Sequence, residues 1–321
     1  AKIQTMHDKT SNGFRYNDQI YALYGSINYK SQKFDFNIGL RAENAEMELV
    51  GNFDKSTLSI LPYARFFYKL SVRQNLQFSY RRSVNRPSVY YLNPYTYIDN
   101  PYSVRKGNPL LEPEFRNRFY LEHSIQFRGN YISSRLFYDN KTNSINNLTI
   151  LNDSSAFETQ VQNLGTISQY GVQFSGSLTF GLLTFNPSVR LYNQSTFGNN
   201  LAKQYEVKNR NGLVFEFDFS SVLSFRHNFA LSAIFQYNTA RNNIQDNAFS
   251  DALYFISLDK TFKKNLKVGI VTALPFTKTF DYQGSEIEAK NFSSRYTGNL
   301  KLPVVPVMFR VSYQFNIGKN R

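Results

Sequence analysis

Residues 33–43 read KFDFNIGLRAE, and apolar and polar residues alternate along this stretch one for one. Phe34, Phe36, Ile38, Leu40 and Ala42 share one parity, and the residues between them are polar, charged or glycine. Successive side chains of a β-strand point to opposite faces of the sheet. The stretch is therefore predicted to be a strand with one apolar face and one polar face.

The same alternation recurs along the whole chain, and almost nothing has helical periodicity. About thirteen segments show it, each near the roughly 9–11 residues that a tilted strand needs to cross a membrane. Short polar turns join the members of each hairpin, and long polar segments (44–57, 83–113, 139–158, 193–208, 238–250 and 275–303) join one hairpin to the next. A soluble sandwich has turn signals at both ends. The asymmetry is instead typical of an outer-membrane barrel with short periplasmic turns and long extracellular loops.

We therefore predict an all-β protein, an antiparallel transmembrane β-barrel whose apolar face meets lipid and whose polar face meets a lumen. Aromatic residues of the apolar parity gather beside the short turns, where a girdle at the lipid interface is expected. His123 is the exception, since its parity places it among the lipid-facing residues. A local bulge or a neutral imidazole near the interface would accommodate it.

Composition limits the alternatives. The 321 residues include 30 Phe and 23 Tyr but neither Trp nor Cys, which favours strands and excludes disulfides and thiolate metal sites. The formal charge of +14 fits nucleic acid, an anionic membrane surface or an anionic ligand path. Its basic residues are mostly single and spaced along strands, so we expect no nucleic-acid partner. The most apolar stretch, LKVGIVTALPF, is too short for a membrane helix.

The predicted number of strands, about thirteen, does not fit a complete barrel. The last segment, VMFRVSYQFNIG, resembles the C-terminal signal by which outer-membrane barrels are recognised for assembly, with Phe309, Val311, Tyr313 and Phe315 as its apolar series. If the last strand ends in the periplasm, counting back through the alternating short turns and long loops places the start of the first strand outside the cell. Bacterial single-chain barrels have even strand numbers. We therefore expect that the N-terminal part of the barrel is missing from this chain.

Residues 83–117 read SVNRPSVYYLNPYTYIDNPYSVRKGNPLLEPEFRN and carry a recognisable string of motifs. The string consists of Arg86, Pro87, Asn93, Pro94, Gly107, Asn108, Pro109, Pro113 and Glu114. It resembles the loop of TonB-dependent outer-membrane transporters, especially the barrel family common in Bacteroidota. The hairpin before it, the SQYGVQFSG strand and the YQFNIGK ending are similar to that family too.

The resemblance implies a 22-stranded barrel filled by an N-terminal plug, located in the bacterial outer membrane. Residues 1–321 would form the C-terminal part of the barrel domain, without the plug and the first strands. The implied partners are outer-membrane lipids, the missing plug and strands, and TonB, which is contacted through the missing N-terminal part. A surface lipoprotein lid or other envelope subunits are further partners that such barrels have.

Two sets of residues are candidates for ligand binding on the polar side. The first is tyrosines of the proline-rich loop, namely Tyr90, Tyr91, Tyr95 and Tyr97, with Tyr102 beside them. The second is inward-parity arginines, namely Arg41, Arg65, Arg81, Arg116 and Arg118, with Arg135 and Arg190 further along. Each set has a structural alternative. The tyrosines would pack the loop, and the arginines would pair with Glu43, Glu122, Glu216 and Asp218 or with the plug.

No enzymatic activity, metal or cofactor is predicted. His7, His123 and His227 lie far apart and form no spacing of a metal site or of a nucleophile with its base. The function that we expect is import of a scarce or bulky nutrient across the outer membrane by a TonB-dependent receptor. The alternatives are a transporter-like barrel that serves as a scaffold subunit of an envelope complex, and a passive porin or fatty-acid channel.

Overall fold

The computed structural model describes residues 2–5, 14–49, 53–152, 155–262 and 265–315. Strands dominate it: β1 (Lys2–Thr5), β2 (Phe14–Lys30), β3 (Phe34–Leu49), β4 (Phe53–Lys69), β5 (Gln74–Asn85), β6 (Thr96–Asn100), β7 (Ser103–Lys106), β8 (Glu114–Phe127), β9 (Asn130–Leu151), β10 (Phe157–Phe180), β11 (Leu183–Gly198), β12 (Arg210–Ser224), β13 (Phe229–Asn238), β14 (Arg241–Asn242), β15 (Asp246–Phe249), β16 (Leu253–Phe262), β17 (Leu266–Ala273), β18 (Thr279–Glu288), β19 (Ser293–Lys301) and β20 (Val307–Tyr313). The helices are α1 (Val89–Leu92) and α2 (Asn200–Gln204), with a 3-10 turn at Arg226–Asn228. Within the described residues, neither helix has the length and apolar character to cross a bilayer.

One continuous antiparallel sheet forms the wall of the protein. Its order is β1-β2-β3-β4-β5-β8-β9-β10-β11-β12-β13-β16-β17-β20. Without the four-residue β1, thirteen strands remain, and this confirms the number expected from the alternation. In the described part of the chain, β1 and β20 are the two edges of the sheet and do not pair with each other. The sheet is therefore an open portion of a barrel wall.

The register confirms the predicted parity. Ile27 and Tyr29 on β2 stand opposite Ile38 and Phe36 on β3, so apolar residues of neighbouring strands share one face. Large apolar side chains on this face are strongly exposed. Leu23, for example, is 79% exposed. Such an apolar surface is far larger than soluble monomers tolerate and is the lipid-facing surface of a membrane barrel.

The six short turns lie where the sequence predicts them, between β2 and β3, β4 and β5, β8 and β9, β10 and β11, β12 and β13, and β16 and β17. Gly129 and Gly181 occupy two of them with φ of 82° and 58°, a conformation that glycine adopts at no steric cost. Aromatic rings gather on the lipid side of this end. Tyr29 and Phe34 stack with ring centroids 5.6 Å apart.

The long polar segments differ from simple loops, because much of their length is strand. β9 and β10 run for 22 and 24 residues, well beyond the width of a membrane, and form a projecting hairpin across the predicted segment 139–158. β3 and β4 likewise occupy most of segment 44–57. Apolar alternation fades there because neither face meets lipid, but antiparallel backbone hydrogen bonds continue without it. The alternation in the sequence therefore reveals the part of these strands that crosses the membrane, but not where the strands end beyond it.

Polar side chains on the lipid face at the short-turn end include those of His123 and Lys260. His123 Nε2 is 3.2 Å from Gln74 Oε1, and the regular pairing of β5 with β8 shows no bulge there. The interfacial position, and not a bulge, therefore accommodates His123. Lys260 Nζ lies 4.2 Å from the ring centroid of Phe229 and donates a hydrogen bond to the carbonyl of His227. Lys260 thus directs its charge away from hydrocarbon towards the turn.

A second, four-stranded sheet, β14-β15-β18-β19, is built from the segments that follow β13 and β17. It packs on the projecting hairpin through Gln245. The Gln245 side-chain amide bonds both the N–H and the carbonyl of Thr149, each at 2.7 Å. Ile244 joins Leu148 and Leu164 in a small apolar cluster beside it. The extracellular half of the protein is therefore a packed structure with its own core.

An ion-pair cluster fastens the last strand. Asp259 on β16 is 2% exposed and accepts hydrogen bonds from Arg310 Nη2 at 2.6 and 2.7 Å, while Lys267 Nζ lies 3.4 Å away. Gly269 on the intervening strand allows this contact, because a Cβ there would lie 2.0 Å from Asp259 Oδ1. Asp259 thereby links β16 to the edge strand β20 across β17.

We expect Arg310→Met to lower the free energy of unfolding by roughly 1–2 kcal/mol, because it leaves a buried carboxylate with Lys267 alone. The cost stays below that of a fully buried pair, since the Arg310 side chain is 46% exposed. Guanidinium titrations followed by the electrophoretic mobility of folded and unfolded forms would measure it. The double variant Asp259→Asn/Arg310→Met should recover part of the loss, and an additive double variant would contradict the link.

Candidate functional site

The inner, polar face of the sheet carries a wall of arginines. The register places all seven predicted arginines on this one face: Arg41 on β3, Arg65 on β4, Arg81 on β5, Arg116 and Arg118 on β8, Arg135 on β9 and Arg190 on β11. The prediction from parity is therefore confirmed for their orientation.

Several of these arginines are paired with acids of the same face. Arg135 Nε donates to Glu122 Oε2 at 2.8 Å, and Arg190 Nη1 lies 3.6 Å from Glu216 Oε2. Glu43 pairs with Arg41, as expected. Each of these pairs holds one strand of the wall to its neighbour or to itself, so part of the arginine set is structural.

The acid partners differ from the predicted set in two respects. Asp218 forms no ion pair within the described parts of the chain, whereas Asp139 pairs with two arginines. Arg116 Nε donates to Asp139 Oδ1 at 2.7 Å, and Arg118 Nε lies 3.5 Å from Asp139 Oδ2. Parity alone would have found Asp139, because it continues the inward series of Arg135 on β9.

A cleft of about 630 Å³ between β4 and β5 is lined by five arginines. Arg41, Arg65 and Arg81 line it, together with Arg82 and Arg86, which the ligand prediction did not include. Its lining contains a single acid, Glu43, to which Arg86 Nη2 donates at 2.5 Å. Five arginines against one glutamate leave a balance of +4. The cleft is therefore chemically suited to an anion.

The loop tyrosines form a second, separate cavity of about 230 Å³. Tyr90, Tyr91 and Tyr97 line it, and the Tyr90 ring centroid lies 6.0 Å from that of Tyr91 and 6.1 Å from that of Tyr97. Tyr95 and Tyr102 are not part of its lining. The predicted ligand residues thus divide between two places and do not form one vestibule.

The cations of the tyrosine cavity are already neutralised. Arg105 forms two hydrogen bonds to Asp99, at 2.5 and 2.7 Å, and these raise the pKa of Arg105. Lys106 Nζ lies 3.1 Å from Glu158 Oε1. With aromatic rings and paired charges, this cavity suits a neutral polar ligand with flat apolar faces better than an anion.

The motif residues fasten the loop to the inner wall. Arg86 reaches across β4 to Glu43 on β3. Leu92 and Leu111 are fully buried with Val161 of β10. The motif's prolines, Pro87, Pro94, Pro109 and Pro113, lie outside every described strand and helix, as their missing N–H groups favour.

Gly107 and Asn108 form the centre of this attachment. The Asn108 N–H donates to the Tyr91 carbonyl at 2.6 Å, and Asn108 Nδ2 donates to Gln162 of β10 at 2.8 Å. Glu114 accepts from Asn85 Nδ2 at 2.8 Å and from the Ile145 N–H at 3.0 Å. The motif therefore builds an ordered insert against the polar face.

Other predicted residues lie elsewhere. The residues of the proposed assembly signal, Phe309, Val311, Tyr313 and Phe315, are all exposed on or just after the edge strand β20. His123 and His227 belong to the short-turn end, and His7 lies outside the described residues. In the described part of the chain, no group of three or more His, Asp or Glu residues is placed to hold a metal ion.

Solved structures with a similar fold include two metal transporters and an import receptor. The FrpB iron transporter from Neisseria meningitidis (F3-3 variant) superposes with a TM-score of 0.62 at 11% identity, covering 94% of this chain and 46% of its own. The copper transporter OprC gives 0.66 at 12% identity, with 94% and 48% covered. The ferric-catecholate import receptor Fiu from E. coli K12 gives 0.62 at 13% identity, with 94% and 46% covered.

The chain thus spans about half the length of these structures. No curated protein sequence matches it significantly. The model of the Outer membrane protein beta-barrel family matches residues 2–313, nearly the whole sequence. The protein is located in the bacterial outer membrane and belongs to the Outer membrane protein beta-barrel family.

Proposed function

We propose that this chain forms part of the barrel of an active outer-membrane transporter, a TonB-dependent receptor that imports a scarce or bulky nutrient. The observation that carries the proposal is the loop of residues 86–113, which folds inward and is fastened to the polar wall by Arg86 and Asn108. A wide barrel with an ordered insert and an arginine-lined wall suits selective passage better than free diffusion.

We further propose that other strands and a plug complete the barrel. The open edges β1 and β20 support this, because hydrocarbon does not tolerate unpaired backbone groups. TonB would then act on the plug, and a lipoprotein lid would act on the extracellular loops. The resemblance of the loop motif to the Bacteroidota barrel family supports the same assignment. No covalent chemistry is assigned to the chain.

A growth experiment tests the proposal. A strain without the gene should grow poorly on one limiting nutrient from a panel of iron chelates, haem, cobalamin, oligosaccharides and peptides. The wild-type gene should restore uptake, and a protonophore should abolish it. Double replacement Arg81→Gln/Arg118→Gln should reduce uptake if the nutrient is anionic and passes the wall.

Two results would contradict active import. Stoichiometric co-purification of an envelope partner without any growth defect would indicate a scaffold subunit. A steady conductance of the purified protein in planar bilayers, with uptake insensitive to the protonophore, would indicate a passive porin or fatty-acid channel.

A further inference from the structure

The wall of the barrel is interrupted between β4 and β5. These strands pair over seven residues only, ending where Tyr63 stands opposite Arg81. β4 nevertheless pairs with β3 over 16 residues, and β5 pairs with β8 over 12. Pro62, the next residue of β4, has no N–H to continue the ladder. Above Tyr63, the facing edges of β4 and β5 have no other strand partner in the described part of the chain.

The interruption begins at the outer surface of the membrane. Arg82 is the ninth residue of β5 counted from the short-turn end, and about 9–11 residues of a tilted strand cross the hydrocarbon. Polar groups join the lipid-facing side at this height, where the Tyr80 hydroxyl donates to Asn117 Oδ1 at 3.1 Å. Because short turns lie in the periplasm, this level is that of the outer-leaflet head groups.

The arginine cleft occupies this interruption and includes residues of both faces. Arg65 and Arg81 come from the inner face, whereas Tyr80 and Arg82 have the parity of the lipid face. The cleft therefore runs through the wall. A through-wall opening at head-group level is accessible to lipids from the side and to solutes from the lumen.

The charge of the cleft is poorly compensated. In the described residues, Arg65, Arg81 and Arg82 form no ion pair, and Arg81 stands directly opposite Arg118, a like charge on the same face. The guanidinium of Arg82 lies 4.7 Å from the ring centroid of Phe115, and its buried Nε has no hydrogen-bond partner among the described residues. These groups together lack an anionic acceptor.

We propose that this cleft binds a phosphate group, presented by the head group of an anionic glycolipid of the outer leaflet. Guanidinium groups bind phosphate oxygens in bidentate fashion, and Arg65, Arg81 and Arg82, which form no ion pair among the described residues, all line this cleft. The phosphate oxygens of the bound head group would also offer hydrogen-bond acceptors to the backbone N–H groups of the separated strand edges above Tyr63. The proposal concerns the lipid side of the wall and does not depend on which nutrient the barrel carries.

The test uses the protein purified from outer membranes and native mass spectrometry with lipid A in detergent. Phosphorylated lipid A should bind, and the fully dephosphorylated form should bind at least about tenfold more weakly, as expected for losing charge-assisted hydrogen bonds. Arg82→Gln should weaken binding of the phosphorylated lipid by about tenfold, and Arg82→Lys should weaken it less. Arg73→Gln, which removes one charge at the opposite end of the same hairpin, is the matched control and should bind normally.

Inorganic pyrophosphate distinguishes the two sources of phosphate. A lipid site should keep its lipid in millimolar pyrophosphate, whereas a luminal site for dissolved phosphate would bind pyrophosphate in an Arg82-dependent way and not retain lipid A. That second result would overturn the lipid assignment. Equal binding of dephosphorylated lipid A, or equal losses in Arg73→Gln and Arg82→Gln, would overturn the phosphate site itself. Heat-modifiable electrophoretic mobility verifies that each variant is folded before it is scored.

Discussion

Replacing Ile38 with arginine is expected to lower the free energy of unfolding of the barrel in lipid by about 2–4 kcal/mol, the cost of a midplane arginine on a lipid-facing site. Ile38 is the fifth residue of β3 counted from the short-turn end. It lies on the apolar face and is 48% exposed. Its neighbours across the sheet are Ile27 and Ala64. A guanidinium there would have hydrocarbon around it and no acid within reach on that face.

The matched control is Ser26→Arg. Ser26 precedes Ile27 on β2 and stands opposite Gly39, so it lies at the same height on the polar face. An arginine there meets water and should change stability by less than about 0.5 kcal/mol, as most surface substitutions do. Because the chain has no tryptophan, unfolding in lipid vesicles is best followed by electrophoretic mobility of the folded form after equilibration in guanidinium. Equal costs for the two variants would show that the faces are not lipid and lumen.

The expected difference between Ile38 and Ser26 rests on a pattern visible in the sequence. Side chains alternate with a period of two, so one-residue register slips would turn all apolar residues of a strand to the wrong side. Lipid enforces this more strictly than a protein core does, because it offers no polar partner. For this reason the faces of the membrane-spanning strands could be predicted from sequence, including the lipid-facing side of Phe36 and Ile38.

Beyond the membrane the same reasoning fails, and the physical cause is specific. The upper half of β9 and β10 includes Asn146, Asn147, Gln160 and Gln162, which interrupt the apolar alternation that would reveal a strand. Their strand structure comes from backbone pairing and from distant contacts such as that of Gln245 with Thr149. Contacts between residues 96 positions apart leave no periodic signal in the chain.

The sequence predicted which face the candidate arginines lie on, but it did not predict which of them line the same cleft. Parity identified Arg41, Arg65 and Arg81 as inward residues, and they do line one cleft. It missed Arg82, because the interruption beside Pro62 brings a residue of the opposite parity to the same cleft. Parity assumes an unbroken wall, and so it cannot find a site made by a break in the wall.

The second large effect is expected from a substitution in the loop of residues 86–113. Gly107→Ala is expected to release the loop from the wall, because a Cβ at this position would lie 2.1 Å from the Asn93 carbonyl oxygen and 2.7 Å from that of Tyr91. Both obstacles are backbone atoms, which cannot rotate away as a flexible side chain would. The loop backbone must shift, and this breaks the hydrogen bond from the Asn108 N–H to the Tyr91 carbonyl.

Loss of that bond separates Leu92 and Leu111 from Val161, which removes a cluster whose two leucines are 0% and 1% exposed. Exposing a buried leucine costs about 1.5–3 kcal/mol, and two leucines are exposed here. Protease cleavage of a locally opened segment follows its opening free energy when reclosing is fast, so cleavage within residues 86–113 should accelerate by about 30-fold or more. The membrane strands should stay resistant, since none of their lipid-facing contacts involves this loop.

Gly25→Ala provides the control for the glycine substitution. Gly25 lies on β2 opposite Leu40, and a Cβ there would meet no atom within 4 Å. Both variants remove the same conformational freedom of glycine, and only Gly107→Ala creates a clash. The cleavage rate of the loop should therefore be unchanged in Gly25→Ala. If Gly107→Ala left the loop as resistant as Gly25→Ala does, the close approach of residues 91, 93 and 107 would not hold the insert in place, and the inward-folded loop would lose its role in the proposed transport path.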